Sequence, residues 1–233
     1  MKKILSVLLL LTVFSIAGYS AGVGSKHRVA DTATLGYFFA DSTHIGRKGH
    51  NKVTLSEYSL PDSGYVVVKF YARSTKGKWH LKQKFEFSKM DAIDCDPKMS
   101  DFNHDGLEDL TYISMFAVRG ANEVRRLFIY DKDRDRLVYM RNSEQYPNML
   151  YNKQLNCIDA WLVYGGCSTV FLRIRGNRLV EFACVDVTEE EGLSVYTIDQ
   201  RGRRKQIRHQ ANIHGVGFAR FKNYRPLVEY VLP

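Results

Sequence analysis

Between residues 101 and 110 the chain reads Asp-Phe-Asn-His-Asp-Gly-Leu-Glu-Asp-Leu, and this decapeptide constrains the fold more than any other stretch. Oxygen-bearing side chains fill its first, third, fifth and ninth places. Gly106 fills the sixth, where a tight turn needs a left-handed or crowded backbone. Alternate residues of such a turn direct their oxygens at one centre, the arrangement by which a hard cation such as Ca²⁺ gathers about six to eight oxygen ligands. The expected metal ligands are the side chains of Asp101, Asn103, Asp105 and Asp109 and the carbonyl of Leu107. The twelfth place is Tyr112, where an EF-hand requires a bidentate Glu. Residues 110–113, Leu-Thr-Tyr-Ile, read as a strand. The loop therefore opens a β-strand, and Ca²⁺ is expected to act there as a permanent staple.

The rest of the mature chain is strand-like in the same way. Residues 52–58 and 65–71 alternate apolar with polar around a Pro61-Asp-Ser-Gly64 break, and 78–87 follow a turn at 74–77. Further strands are expected at 34–39, 110–116, 127–130, 137–139, 158–164, 168–174 and 179–184, with Gly176-Asn177 as a hairpin turn. Two more are expected after residue 185, and 226–232 closes the last sheet. Turn-bounded strands at regular spacing predict an all-β fold of antiparallel sheets, propeller-like or sandwich. One domain over 22–233 is the economical organisation, with 22–90 as a separate lobe the alternative.

Lys2 and Lys3 precede an apolar run over 4–17 and then the small residues Gly18, Ser20, Ala21 and Gly22. That order predicts a secretory signal peptide over 1–21, too short for a membrane span. The protein is thus expected to be exported, to the periplasm or beyond, without a stable span after cleavage. Cys95, Cys157, Cys167 and Cys184 are disulfide candidates in an oxidising compartment, with three pairings open. Cys167 with Cys184 is favoured as lying on neighbouring strands, although diagonal in register. The charge is +9, and losing the two charges of Lys2 and Lys3 leaves +7. A basic exported protein suits an anionic glycan or an acidic protein surface, and export argues against nucleic acid. The run Arg201-Gly-Arg-Arg-Lys205 reads as a solvated hairpin turn.

Other clusters carry weaker chemistry. His27, His44 and His50 match no zinc spacing. In the turn over 131–136 three aspartates alternate with Lys132, Arg134 and Arg136, so it reads as a charged hairpin turn rather than a second cation site. Either Asp94 or Asp96 is placed to add a ligand to the first loop. No nucleophile elbow, metalloprotease helix or Walker loop is present, so no enzyme is expected; an unrecognised hydrolase would draw on Glu108, Asp159, Asp186 or residues 189–191.

The stretch over 78–186 resembles exported bacterial proteins with the Asp-x-Asn-x-Asp-Gly-x-x-Asp-Leu loop, the FG-GAP and VCBS-like calcium-binding blades. It is more similar still to a small periplasmic group that includes the i-type lysozyme inhibitor and type IV secretion immunity proteins. The residues that carry this are 101–110, Leu127-Phe-Ile-Tyr-Asp131, Tyr164-Gly-Gly166 and the segment 171–179. The resemblance implies a propeller-like or sandwich domain, a structural Ca²⁺, and a loop that plugs the cleft of a peptidoglycan hydrolase. Inhibitors of that group use a Ser-Gly loop with a tyrosine, which points to Tyr65 in Ser63-Gly64-Tyr65 and to Tyr164, Gly165 and Gly166 as partner-binding residues. The expected function is a calcium-stabilised binding module acting as such an inhibitor. The alternatives are a surface adhesin with a basic face for glycans, and the hydrolase.

Overall fold

Apolar residues two apart along the longer strands give the sheets of this protein two different faces, and the layers stack in chain order. The computed structural model describes residues 33–61, 63–89, 93–211 and 218–230. The expected signal segment 1–21 and His27 lie outside them. The first sheet is β1 (Thr34–Asp41), β2 (Asn51–Leu60), β3 (Ser63–Arg73) and β4 (Trp79–Lys89), paired antiparallel in that order. The second is β5 (Lys98–Ser100), β6 (Asp109–Ala117), β7 (Asn122–Asp131) and β8 (Arg136–Tyr139), again in order. The third runs from β9 (Leu150–Asn152) through β10 (Cys157–Val163), β11 (Gly166–Arg175), β12 (Arg178–Thr188) and β13 (Gly192–Ile198) to β14 (Arg204–Gln210). A hairpin of β15 (Phe221–Tyr224) and β16 (Leu227–Glu229) follows. The fold is all-β, antiparallel and sandwich-like, and the described residues form one compact unit.

Three cores glue the layers. Val53, Leu55, Val66, Val68 and Phe70 of the first sheet meet Leu110, Tyr112, Phe128, Tyr130 and Leu137 of the second. Leu127 and Ile129, the alternate residues of β7, point the other way and meet Ile158, Ala160, Val170, Leu172 and Cys184 of the third sheet. The far face of that third sheet, with Phe171, Val185 and Val195, is covered by Phe221, Tyr224 and Leu227 of the last hairpin. The second sheet is thus buried on both faces, and each fully buried Phe or Leu there stabilises by roughly 1.5–3 kcal/mol. The outward face of the first sheet has no such cover among the described residues.

The register separates the favoured Cys167–Cys184 pair. All four cysteines are free and buried. Cys167 pairs across the ladder with Val187, and Cys184 with Val170. The odd offset of three residues puts the two thiols on opposite faces of the sheet, Cys184 in the second core and Cys167 in the third with Cys157. Cys95 sits in the first core, its thiol donating to Glu57 Oε2 at 3.2 Å. Burial pushes the Cys95, Cys157 and Cys184 thiols up to about 12. They pack as small apolar groups rather than as reactive ones. Strands β5, β9 and β15 carry no apolar alternation long enough to read, and each exists by pairing with a longer neighbour.

Candidate functional site

The acidic loop sits where the layers meet. Residues 101–108 join β5 to β6, and Asp109 is the first residue of β6. Phe102 drops into the core towards the third sheet, while Leu107 packs against the core towards the first. The amide of Gly46, from the β1–β2 connection, donates to the Glu108 carbonyl at 3.0 Å. His104 stacks on Tyr151 of β9 with centroids 5.0 Å apart. One short loop therefore touches all three sheets.

Its side-chain oxygens face inward. The amide of Asp105 donates to Asp101 Oδ1 at 3.1 Å and to Asn103 Oδ1 at 3.2 Å. The amides of Gly106 and Leu107 donate to Asp101 Oδ2 and Asp105 Oδ1 at 2.8 and 3.1 Å. Gly106 has φ +83°, the left-handed backbone expected of the sixth place. Asp109 is completely buried and accepts hydrogen bonds from the Phe102 amide on Oδ2 and the Tyr130 amide on Oδ1, both at 2.8 Å. It ties the loop to β7 from within.

Charge is not balanced there. Burial lifts the Asp109 carboxyl to about 8; the amides of Tyr130 and Phe102 pull against that, and the charges of Asp101 and Asp105 add to it. The one cation at the loop among the described residues is Lys132, whose Nζ lies 3.8 Å from Asp105 Oδ2. A buried carboxylate among like charges costs free energy unless a cation or a proton joins it. Glu108 adds a buried Oε2 without a hydrogen-bond partner. Among the described residues no three His, Cys, Asp or Glu side chains converge as a ready-made metal group. The donor chemistry nevertheless fits a hard cation: Asp101, Asn103, Asp105, Asp109 and the Leu107 carbonyl offer oxygen alone, and each oxygen keeps a lone pair beyond the amide it accepts.

Asp96 is not part of this set. It pairs with Arg125 NH2 at 2.7 Å and Lys98 Nζ at 2.9 Å. His44 and His50 pair with Asp41 and Asp135 at 2.8 and 3.4 Å. In the β7–β8 turn, Asp131 accepts from Arg134 and Arg136 at 3.1 and 3.3 Å, and Asp135 accepts from Asn51 and Tyr130. The charged-turn reading fits this neutralised geometry.

The partner-binding candidates fall in different sheets. Tyr65 lies on the outward face of β3, stacked on Tyr58 of β2 with centroids 4.9 Å apart. Tyr164, 46% exposed, stands at the β10–β11 turn. Its amide donates to the Gly166 carbonyl at 2.9 Å, and its hydroxyl lies 2.9 Å from Ser168 Oγ, which donates to Asp186 Oδ1 at 2.5 Å. Gly166 is required by packing, since an added Cβ would collide with the Val187 carbonyl; Gly165 faces open space. Arg204 from β14 reaches Asp186 Oδ2 at 3.3 Å. Sequence reasoning did not find Ser168, Asp186 and Arg204 as one group, because only the strand register brings them side by side.

The carboxylates considered for hydrolysis are scattered. Asp159 is buried on the third-core face with Arg220, the Tyr230 hydroxyl at 2.6 Å and Asn152 Nδ2 at 2.9 Å. Asp186 faces the opposite side of the same sheet, three positions out of register with Ala183, which lies in the row of Asp159. The two do not form a pair across one bond.

Among the described residues no helix is long and apolar enough to cross a membrane. No family model matches the chain, and no curated protein matches it. A solved structure described as that of a Xanthomonas type IV secretion system related protein aligns over 74% of this chain and 93% of its own, with 12% identity and a TM-score of 0.46.

Proposed function

We propose that the protein is an exported, calcium-stabilised binding module that inhibits a peptidoglycan hydrolase. The observation that carries the calcium part is the wholly buried Asp109, held between the amides of Phe102 and Tyr130 beside Asp101 and Asp105 with no cationic side chain against it among the described residues. Ca²⁺ bound by Asp101, Asn103, Asp105, Asp109 and the Leu107 carbonyl supplies the missing positive charge and locks the β5–β6 loop to β7. Such a staple makes the stacked sheets a rigid platform, so that binding falls to loops at its rim.

The turn at Tyr164-Gly165-Gly166 is the loop offered to the hydrolase. A half-exposed tyrosine fixed at its hydroxyl by Ser168, itself held by Asp186, is a rigid anchor of the kind that fills a cleft with little loss of side-chain entropy. The similarity of 78–186 to the periplasmic inhibitor group supports the same reading. The purified mature protein is expected to block a lysozyme in a turbidity assay at stoichiometric ratio, and Tyr164→Ala to weaken the block with the melting temperature unchanged. Absence of inhibition across several lysozyme types removes the inhibitor reading, while capture of another envelope protein that depends on Tyr164 keeps the binding module.

A further inference from the structure

Sheets at the end of a stack normally turn a polar face to water, and the first sheet mixes exposed aromatic and apolar side chains into that face. Its inward residues fill the first core. On the outward face Phe38 and Leu81 are 57% and 53% exposed, and Tyr58 stacks on Tyr65 across the ladder. Two strand positions further along the sheet from Lys69 lies Tyr71. Lys52 Nζ rests 4.5 Å from the centroid of Tyr71 and 4.9 Å from that of Trp79, and Arg73 lies over Trp79 from 5.5 Å. The face therefore holds an aromatic group at each end. Tyr65 and Tyr71 are six residues apart on β3, about 20 Å along the strand.

Between the two aromatic ends runs a basic strip. Lys69 and Lys84 are cross-strand partners on this face, and the one carboxylate beside them among the described residues, Glu86, pairs with Lys84 at 2.9 Å. Like charges placed opposite one another disfavour the sheet by themselves, so the pair invites a counter-charge from outside. A protein partner prefers an interface centre depleted in charge, whereas here lysines occupy the centre and rings the ends. A ligand that suits this order is extended, offers apolar faces to the rings and repeats anionic groups between them.

We infer that the outward face of the β1–β4 sheet binds a linear acidic polysaccharide laid along the strands. Its sugar rings pack on Tyr58–Tyr65 and Tyr71–Trp79, and its carboxylates meet Lys52, Lys69 and Lys84. The flat surface suits a chain rather than a small molecule, which would need a concave pocket. This surface is independent of the calcium loop and of the Tyr164 turn, so either reading can fail without the other.

The test is fluorescence polarisation of the full mature protein with a labelled linear polyuronate, against a neutral glucan of equal length, a single-stranded DNA of equal charge, and anionic phospholipid vesicles. Saturable, salt-weakened binding of the polyuronate is expected, at least tenfold tighter than each comparison ligand. Tyr65→Ala and Trp79→Ala are each expected to weaken it roughly three- to tenfold, and the double variant Lys69→Glu with Lys84→Glu to abolish it. Circular dichroism melts show that each variant is folded, and should an aromatic variant fail to fold, the lysine double variant carries the test. Arg203→Glu with Lys205→Glu, a basic patch at the β13–β14 turn and the start of β14, leaves binding unchanged. The inference is overturned by no polyuronate binding, by equal binding of the glucan, DNA or vesicles, or by loss that follows the β13–β14 variant instead of the sheet-face variants.

Discussion

Two turns of this protein place side-chain oxygens at alternate positions and reach opposite electrostatic ends. The β5–β6 loop does so with Asp101, Asn103 and Asp105, the β7–β8 turn with Asp131, Asp133 and Asp135, and Lys132 of the second reaches Asp105 of the first. In the β7–β8 turn, burial pushes the Asp131 carboxyl up, but hydrogen bonds from Arg134 and Arg136 more than offset it and hold it below the usual carboxylate range. Asp135 is held low in the same way, by Asn51, Tyr130 and His50 against burial. In the β5–β6 loop nothing comparable faces Asp109 among the described residues, and burial pushes its carboxyl up. The spacing of carboxylates thus says where oxygens gather; the neighbouring cations decide whether a metal is needed. The turn carries its own arginines, whereas among the described residues the loop is met only by Lys132, on Asp105.

The largest way to break this contrast is Asp109→Ala. It orphans two buried amides, of Phe102 and Tyr130, at about 1–3 kcal/mol each. A loss of about 3–5 kcal/mol in urea unfolding is expected, and a loss below about 1 kcal/mol would show that Asp109 does not tie the loop to β7.

Next in size is the pH dependence of the calcium-free protein. The folded carboxyl of Asp109 binds its proton up to about pH 8, well above the ordinary aspartate value of 3.8. Between those values the folded state holds more protons than the unfolded one, so stability falls as pH rises. In chelator the melting temperature is expected to drop from pH 5 to pH 8. Saturating Ca²⁺, which keeps the carboxylate ionised, flattens the profile. A profile that rises over this range in chelator would contradict the uncompensated charge.

Asp105→Ala keeps both Asp109 hydrogen bonds and removes one proposed ligand. Little change in chelator is expected, together with loss of the Ca²⁺ stabilisation, which is about 2.7 kcal/mol at a hundredfold excess over Kd. Calorimetric melts with and without Ca²⁺ read both. Asp131→Asn is the smallest: exposed ion pairs contribute about 0–1 kcal/mol, and the response to Ca²⁺ should stay intact. Loss of that response in Asp131→Asn would place the cation in the wrong turn.

Much of the fold was legible because its strands obey a period of two. Residues 52–58, 65–71 and 168–174 each fall inside a strand, and the Gly176-Asn177 turn joins β11 to β12. Legibility stopped where a feature depends on register between distant segments. Cys167 and Cys184 looked bridgeable on neighbouring strands, and a bulge-adjusted register put their side chains on opposite faces. The aromatic face of the first sheet was hidden for the same reason: Tyr58, Tyr65, Tyr71 and Trp79 share a side only once β2, β3 and β4 are in place. The acidic loop was legible as a turn, with Gly106 in its left-handed place. That Asp109 is buried between β5–β6 and β7 follows from its contact with Tyr130, 21 positions on, which local spacing does not encode.

The account stands most directly on one measurement, the melting temperature of the mature wild-type protein at pH 7.5 in chelator and across a Ca²⁺ series into the millimolar range, with Mg²⁺ as control. A rise that saturates with Ca²⁺, is far smaller with Mg²⁺ and vanishes in Asp105→Ala is the predicted result. An identical melting temperature in chelator and in excess Ca²⁺ would contradict a calcium staple in the β5–β6 loop.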